Sequence, residues 1–406
     1  MRNIDFNHVV VPQLGVATGD LSEFYPFLNW YILKKCEWKD SRGGKVKELL
    51  NFKSSMGNPY RRLVGGFHRC ENPFFLFAEA MWIFEGNCDT QFLSFFNKQM
   101  IEYSDDKKVF HAPYGFRLRH WGIHTEDKFV EENMHASQGY DQIEDAIKML
   151  SKDPTTRRVV LSIWNPDFDL GASTKDIPCN DIIMLKIRDN KLVTTVQNRS
   201  NDLHWGLPTN VFQFSFISEM ISACLGIKLG SQTHNSQSLH IYDWNKIAPK
   251  MLKYFDYDNV SSVNLLKHNE LYHLGAKEFK IDFKFKHGVP VNRLREIDFY
   301  LNIIIENLTS IALQNKYDIN MIKELSGFSN YLYVIFLYLK VYIEYKKDIK
   351  DKNGQDHTNE ASTAMRKIED INSTSKVDDY WDVSLLAKNF FATKIDGYKD
   401  NILGNL

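Results

Sequence analysis

The sequence predicts an α+β protein with a helical C-terminal extension. Three observations carry this. Short runs rich in β-branched residues, at 158–164, 182–188 and 192–197, read as strands. Other segments repeat apolar residues at helical spacing. After about residue 290 strand-like texture ends, and two long helical patterns follow at 291–315 and 329–346.

The elements follow in order. Residues 1–50 mix short apolar pieces with charge. At 72–85, NPFFLFAEAMWIFE reads as a buried helix, with Asn72 as cap and Pro73 in the first turn. From 210 to 225 the residues Val211, Phe214, Ile217, Ile221 and Cys224 recur at helical spacing, and Gly226 stands just past the end. Residues 239–242 and 279–285 read as further strands. Residues 347–376 are polar, contain DKNGQDHTNE and read as a mobile linker. VDDYWDVSLLAKNFFATKI then reads as a last packed piece. A boundary near 288 separates a mixed domain, 1–288, from a helical extension, 289–406.

Composition narrows the function. The 406 residues are 43% hydrophobic and 25% charged with a net charge of −1, so no general polyanion-binding surface is expected, and no nucleic acid partner. The start, MRNIDFNHVVVPQ, lacks the apolar core of a signal peptide. The longest apolar run, Tyr331 to Leu339, falls short of the roughly 20 residues a spanning helix needs. A cytoplasmic protein without membrane contact is expected. The five cysteines form no CxxC pair and no zinc spacing, which fits reduced thiols and no metal.

The segment 177–202, IPCNDIIMLKIRDNKLVTTVQNRSND, reads as one hairpin closed by Asp189-Asn190, two residue types that tolerate the left-handed conformation. Strict pairing places Cys179 opposite Ser200 and beside Arg199; a bulge would bring Arg199 round. An arginine beside a thiol favours the nucleophilic thiolate. A buried, inert core cysteine is the plainer alternative. Glu79 stands out independently: its helical neighbours Phe75, Leu76, Trp82 and Ile83 are apolar, and a carboxylate there is costly unless bonded or used.

Several motifs together resemble the thymidylate synthase family, which includes the phage pyrimidine hydroxymethylases. They are PC at 178–179, QNRSND at 197–202, GLPTN at 206–210, LHIY at 239–242, DPTTRRVVLSIWNP at 153–166, APYGFRLR at 112–119, SRGGKVKE at 41–48 and AEAMWIFEGN at 78–87. They run in family order from about residue 40 to 285. The resemblance implies a mixed, twisted sheet with helices on one face, the other face joining a homodimer. It also implies one-carbon transfer to C5 of a pyrimidine deoxynucleotide, with 5,10-methylenetetrahydrofolate as co-substrate.

Residue by residue, the resemblance makes Cys179 the nucleophile that adds to C6 and so activates C5. Arg42, Arg199 and Ser200 match phosphate ligands, and Arg157 and Arg158 match the pair donated by the neighbouring subunit. Asn210 matches the base reader; its amide suits uracil, whereas the cytidylate enzymes carry aspartate there. As a plain helix cap, Asn210 would need no further role. His240 and Tyr242, on one face of a strand, match the sugar-binding pair. Glu79 matches the residue that organises water and proton transfer, Tyr114 the tyrosine near the thiol, and Asp202 the carboxylate that holds the folate ring.

The departures fall on the folate side. Met100 and Tyr103 stand where synthases carry tryptophans against the cofactor. Asn180 replaces a histidine, Thr209 a phenylalanine, and Asp176 an apolar contact. A smaller, more polar wall admits water to the exocyclic methylene intermediate, so deoxyuridylate hydroxymethylation is expected ahead of methylation. SRGGKVKE followed by NPYRRL also resembles the hydroxymethylase branch. A nucleotide-binding regulator that has lost folate chemistry is the alternative of another class.

Overall fold

The computed structural model describes residues 15–18, 21, 25–63, 72–125, 139–252, 278, 280–350, 358–374 and 390–391. The chain begins with β1 (Gly15–Thr18), α1 (Tyr25–Lys35), β2 (Lys39–Ser41) and β3 (Gly44–Met56). Next come α2 (Pro73–Phe84), α3 (Gln91–Phe96), a 3₁₀ turn (Lys98–Tyr103), α4 (Tyr114–Arg119) and α5 (Gln142–Lys152). Then follow β4 (Val159–Ser162), α6 (Pro166–Asp169), β5 (Asn180–Arg188), β6 (Lys191–Asn198) and β7 (Asn201–Asp202). The central part closes with α7 (Leu207–Leu225), β8 (Lys228–Tyr242) and α8 (Ile247–Leu252). The rest is helical: α9 (Pro290–Gln314), α10 (Ile319–Phe328), α11 (Asn330–Lys350) and α12 (Thr358–Thr374). Among the described residues no helix is long and apolar enough to cross a membrane.

The sheet is mixed, as expected. Its order is β1-β3-β8-β6-β5-β4, with β2 on β3 and β7 on β8. β8 runs parallel to β6 and antiparallel to β3, and β6–β5–β4 are antiparallel. Alternation sets the faces. Phe52, Val196, Ile183, Leu185 and Leu161 point inward and are buried. On the other face Lys53, Asn235, Thr195, Val193, Met184 and Ile182 remain part-exposed, and Val160 is half-exposed.

Helices α2 and α7 fill the inner side. α2 forms as its sequence suggests: Asn72 accepts from the Phe75 amide at 3.2 Å and Pro73 occupies the first turn. α7 ends at Gly226, whose φ of +71° an L side chain rarely adopts. Its start differs from expectation. The helix begins at Leu207, so Asn210 lies inside the first turn and is not its cap.

The C-terminal helices pack on this core. α9 lies against α7, and α11 against α2 and α3, in one continuous apolar cluster. The run Tyr331–Leu339 is buried inside the chain, where each large apolar side chain contributes roughly 1.5–3 kcal/mol. Two expectations fail here. Residues 280–285 are not a strand: the Ile281 amide donates to Glu219 at 2.6 Å and the Lys284 amide to the Phe328 carbonyl at 2.9 Å, so no ladder forms. The described parts of 347–376 are helix: 347–350 end α11, and 358–374 form α12, which docks on α11 through buried Ala361, Ala364 and Ile368. Residues 351–357 and 375–376 lie outside the described residues, as does most of 377–395. Of that last piece, Phe390 and Phe391 pack against Phe74.

Candidate active site

The β5–β6 hairpin forms the floor. Asp189 and Asn190 take φ of 50° and 55°, a two-residue turn with both positions left-handed. Pairing then runs from Arg188↔Lys191 to Ile182↔Gln197, and shifts by one to Asn180↔Asn198. Asp181 is the extra residue. Its carbonyl accepts from the Ile163 and Trp164 amides at 2.9 and 3.0 Å, which anchors the bulge to the end of β4. The shift corrects the strict register: the Arg199 amide donates to the Cys179 carbonyl at 3.0 Å, so Arg199, not Ser200, stands opposite the thiol.

Arg199 is held in place. Its Nε donates to the Pro178 carbonyl at 2.7 Å, and Nη2 lies 3.1 Å from the Ile177 carbonyl and 3.8 Å from Cys179 Sγ. Its charge favours the thiolate, as expected, but is opposed by burial. Burial pushes the Cys179 thiol up, and the Arg199 and Arg42 charges only partly offset this. Tyr114 Oη accepts from the Cys179 amide at 3.3 Å. Burial, with the Cys179 and Asp176 charges adding to it, pushes that phenol up as well, so Tyr114 stays protonated.

Behind the thiol runs a chain of buried amides. Asn198 donates to Asn180, Asn180 to Asn210 at 3.1 Å, Asn210 to Asn201 at 3.1 Å, and Asn201 to Ser236 at 3.0 Å. All four asparagines are buried. Each bond fixes the amide of the next residue, so Asn210 holds one orientation. The entry of α7 depends on Gly206: a Cβ there would lie 2.7 Å from Asn201 Oδ1 and 2.8 Å from the Asp202 amide. Asp202 Oδ1 accepts from the His204 and Trp205 amides at 2.7 and 2.5 Å.

These groups share one cavity of about 340 Å³. Cys179, Glu79, Tyr114, Asp202, Ser200, Asn210, His240, Tyr242, Met100 and Tyr103 all line it. Glu79, on the inner face of α2, receives Gln213 Nε2 at 2.5 Å, and burial pushes its carboxyl up to about 8. His240 meets Tyr242 edge-on at 4.9 Å, and burial lowers the imidazole's pKa. Asp176 accepts from the Ala112 amide at 2.8 Å, and burial raises its carboxyl.

Not every expected residue joins them. Arg42 sits exposed on the β2–β3 turn, near enough for its charge to act on Cys179 and Tyr242. Arg157 and Arg158 lie elsewhere, exposed before β4 beside a hollow lined by Met149, Lys152 and Thr155. Sequence reasoning missed Gln213, Trp205 and the amides Asn198 and Asn201. Gln213 was findable, since it stands three residues after Asn210 on the same helix face. Trp205 is 61% exposed at the mouth, near Tyr103 at 55%. Only the folded chain brings the amides together.

A model of the family described as thymidylate synthase matches residues 73–291. The chain is 40% identical over 213 residues to a deoxyuridylate hydroxymethyltransferase of Bacillus phage SP01, which covers 52% of this chain and 54% of the relative. It is 37% identical over 216 residues to the protein of that description from Pseudomonas phage M6, covering 52% and 57%. It is 32% identical over 129 residues to thymidylate synthase 1/2 of Encephalitozoon cuniculi, covering 32% and 42%. The chain thus matches about half the length of these phage relatives.

Proposed function

This chain belongs to the thymidylate synthase family, and from that premise we propose that it hydroxymethylates deoxyuridylate at C5. One observation carries the reading: a cysteine sulfur, an oriented asparagine amide and a buried carboxylate line the same cavity. Cys179 adds to C6 of the uracil, which makes C5 an enolate carbon. Because burial disfavours the free thiolate, the thiol proton passes to the uracil O4 as the sulfur attacks, so the enolate forms as its enol. Arg199, within reach of the sulfur, stabilises the developing charge. Asn210 accepts from N3–H and donates to O4. Arg42, Arg199 and Ser200 hold the phosphate, and His240 and Tyr242 hold the sugar hydroxyl.

The cavity fits a folate. Met100, Leu93, Tyr103 and Trp205 offer an apolar wall to a flat ring, and Asp202 offers a carboxylate to its N–H groups. Methylenetetrahydrofolate supplies the one-carbon unit to C5. Glu79 stands ready to take a proton from water. Asp176 and Thr209 make the wall more polar than an apolar contact and a phenylalanine would, and a wetter wall favours hydroxymethyl over methyl. Three phage relatives carry the hydroxymethyltransferase description.

The part-exposed outer face of the sheet serves as a homodimer interface in this reading. Arg157 and Arg158, remote from the chain's own cavity, reach the partner's phosphate site. Mass spectrometry of the product of deoxyuridylate and methylenetetrahydrofolate tests the reaction. A nucleotide one oxygen heavier than thymidylate is expected. Thymidylate itself would replace hydroxymethylation by methylation, and an unchanged nucleotide with intact binding would mark a regulator.

A further inference from the structure

Gln213 has no part in reading the base or holding the phosphate, yet it is built into the site. It lies one turn beyond Asn210, lines the same cavity and is 3% exposed. Its Nε2 donates to Glu79 Oε2 at 2.5 Å. With its N–H committed to Glu79, the amide turns its carbonyl away from that carboxyl group. That carbonyl, Oε1, has no hydrogen-bond partner among the described residues. A buried acceptor left unmade is costly, and a water donating to it would remove that cost. Glu79 supplies that water with a second acceptor on the same wall.

We infer that Gln213 is a positioning residue which, with Glu79, holds the water that becomes the hydroxyl group of the product. The inference rests on the hydroxymethyl reading above and deepens it. Water donates one hydrogen to Gln213 Oε1 and the other to the Glu79 carboxylate, leaving a lone pair for the exocyclic methylene carbon. The C–O bond forms and the proton on the Glu79 side passes to that carboxylate. The methylene π pair moves to C5 and into the C4 carbonyl as an enolate. When the carbonyl re-forms, the C5–C6 double bond forms and the C6–S bond breaks, so Cys179 leaves as thiolate. Atoms and charge balance without a further reagent.

The test separates two events in one reaction. Tritium release from 5-tritiated deoxyuridylate counts substitutions at C5; hydroxymethyl product counts water additions. 2-Mercaptoethanol is added as a competing nucleophile for the methylene carbon. Gln213→Met keeps length and removes both polar atoms. The fraction of tritium-releasing turnovers that end as hydroxymethyl product is expected to fall by about tenfold or more, with the balance captured as thioether. The pH limb set by Glu79 moves upward, because the amide N–H that favours the ionised carboxylate is gone. Deoxyuridylate binding by titration confirms the variant is folded; if it is not, Gln213→Ala is read in the same way. Tritium release and product falling in parallel, with the pH limb unmoved, would overturn the inference. A wild-type chain that releases tritium but forms no hydroxymethyl product would instead overturn the hydroxymethyl reading, whatever the variant does.

Discussion

Replacing Asn210 by aspartate probes how the site tells uracil from cytosine. The Asn210 amide is pinned on both sides: Oδ1 accepts from Asn180 at 3.1 Å and Nδ2 donates to Asn201 at 3.1 Å. Each atom keeps one further hydrogen-bonding position, an acceptor for N3–H and a donor for O4. In Asn210→Asp the Asn180 bond survives. The second carboxylate oxygen now confronts Asn201 Oδ1, and nothing donates to O4. The clash with Asn201 weakens the protein for either nucleotide. The N3 contact favours uracil equally with Asn and Asp, so the substitution changes discrimination through the O4 position alone, where leaving that buried acceptor unmade costs about 1–3 kcal/mol. Cytosine instead presents N4–H₂, which can donate to the carboxylate. The ratio of kcat/KM for deoxycytidylate over deoxyuridylate should therefore rise by roughly 5- to 150-fold. Competitive tritium release from the two 5-tritiated nucleotides measures it. A ratio unchanged within about twofold, with nucleotide still bound, would refute the assignment of Asn210 as base reader and the amide chain as its support.

Three further outcomes are expected. Glu79 is held up near 8 by burial, and its ionised form accepts water's proton, so hydroxymethyl formation should rise with pH to a plateau above about 8. Glu79→Gln should lose the limb and about 10²-fold or more of the rate, and a wild-type profile flat through that range would count against the role. Glu85, beside Asp298 and Arg119, is pushed up to about 9, first by burial and then by the Asp298 charge. Its folded value lies above the unfolded one, so its contribution to stability is full below the unfolded pKa and is lost as pH rises through about 9. Glu85→Gln should gain on wild type by roughly 1–3 kcal/mol above that pH in denaturant melts, and parallel pH curves would contradict this. Finally, mixing inactive Cys179→Ala with inactive Arg157→Ala/Arg158→Ala subunits should restore about a quarter of wild-type activity, since half the dimers then hold one complete site. No recovery after subunit exchange would remove the shared arginines.

What the sequence disclosed depended on whether the deciding contact was local. The hairpin turn was legible because Asp189-Asn190 itself meets the backbone requirement. The bulge at Asp181 was not, because the residues that take its carbonyl belong to the end of β4. Glu79 announced itself through its apolar helical neighbours. Gln213 could be found only by its place three residues after Asn210, and its meaning needs Glu79 opposite it. Asn210 resembled a helix cap, yet Gly206 and Pro208 allow the helix to begin earlier. The segment 279–285 had the alternation of a strand, and Phe283 and Phe285 do share a side, stacking at 5.3 Å. Among the described residues no neighbouring strand pairs with it. α12 was hidden by its composition: its fully buried residues are two alanines and one isoleucine, and most of the rest are polar. The arginine beside the thiol was read correctly, but its strength against burial could not be weighed without the fold.

The central claim is a covalent bond between Cys179 and C6 of the nucleotide. 5-Fluorodeoxyuridylate tests it directly, because fluorine at C5 cannot leave as a proton and the adduct with methylenetetrahydrofolate should accumulate. Intact-protein mass spectrometry followed by peptide mapping is expected to show the chain heavier by nucleotide plus folate, with the added mass on the peptide that holds Cys179 and absent from Cys179→Ala. An unmodified chain, or a modification on any other residue, would contradict it.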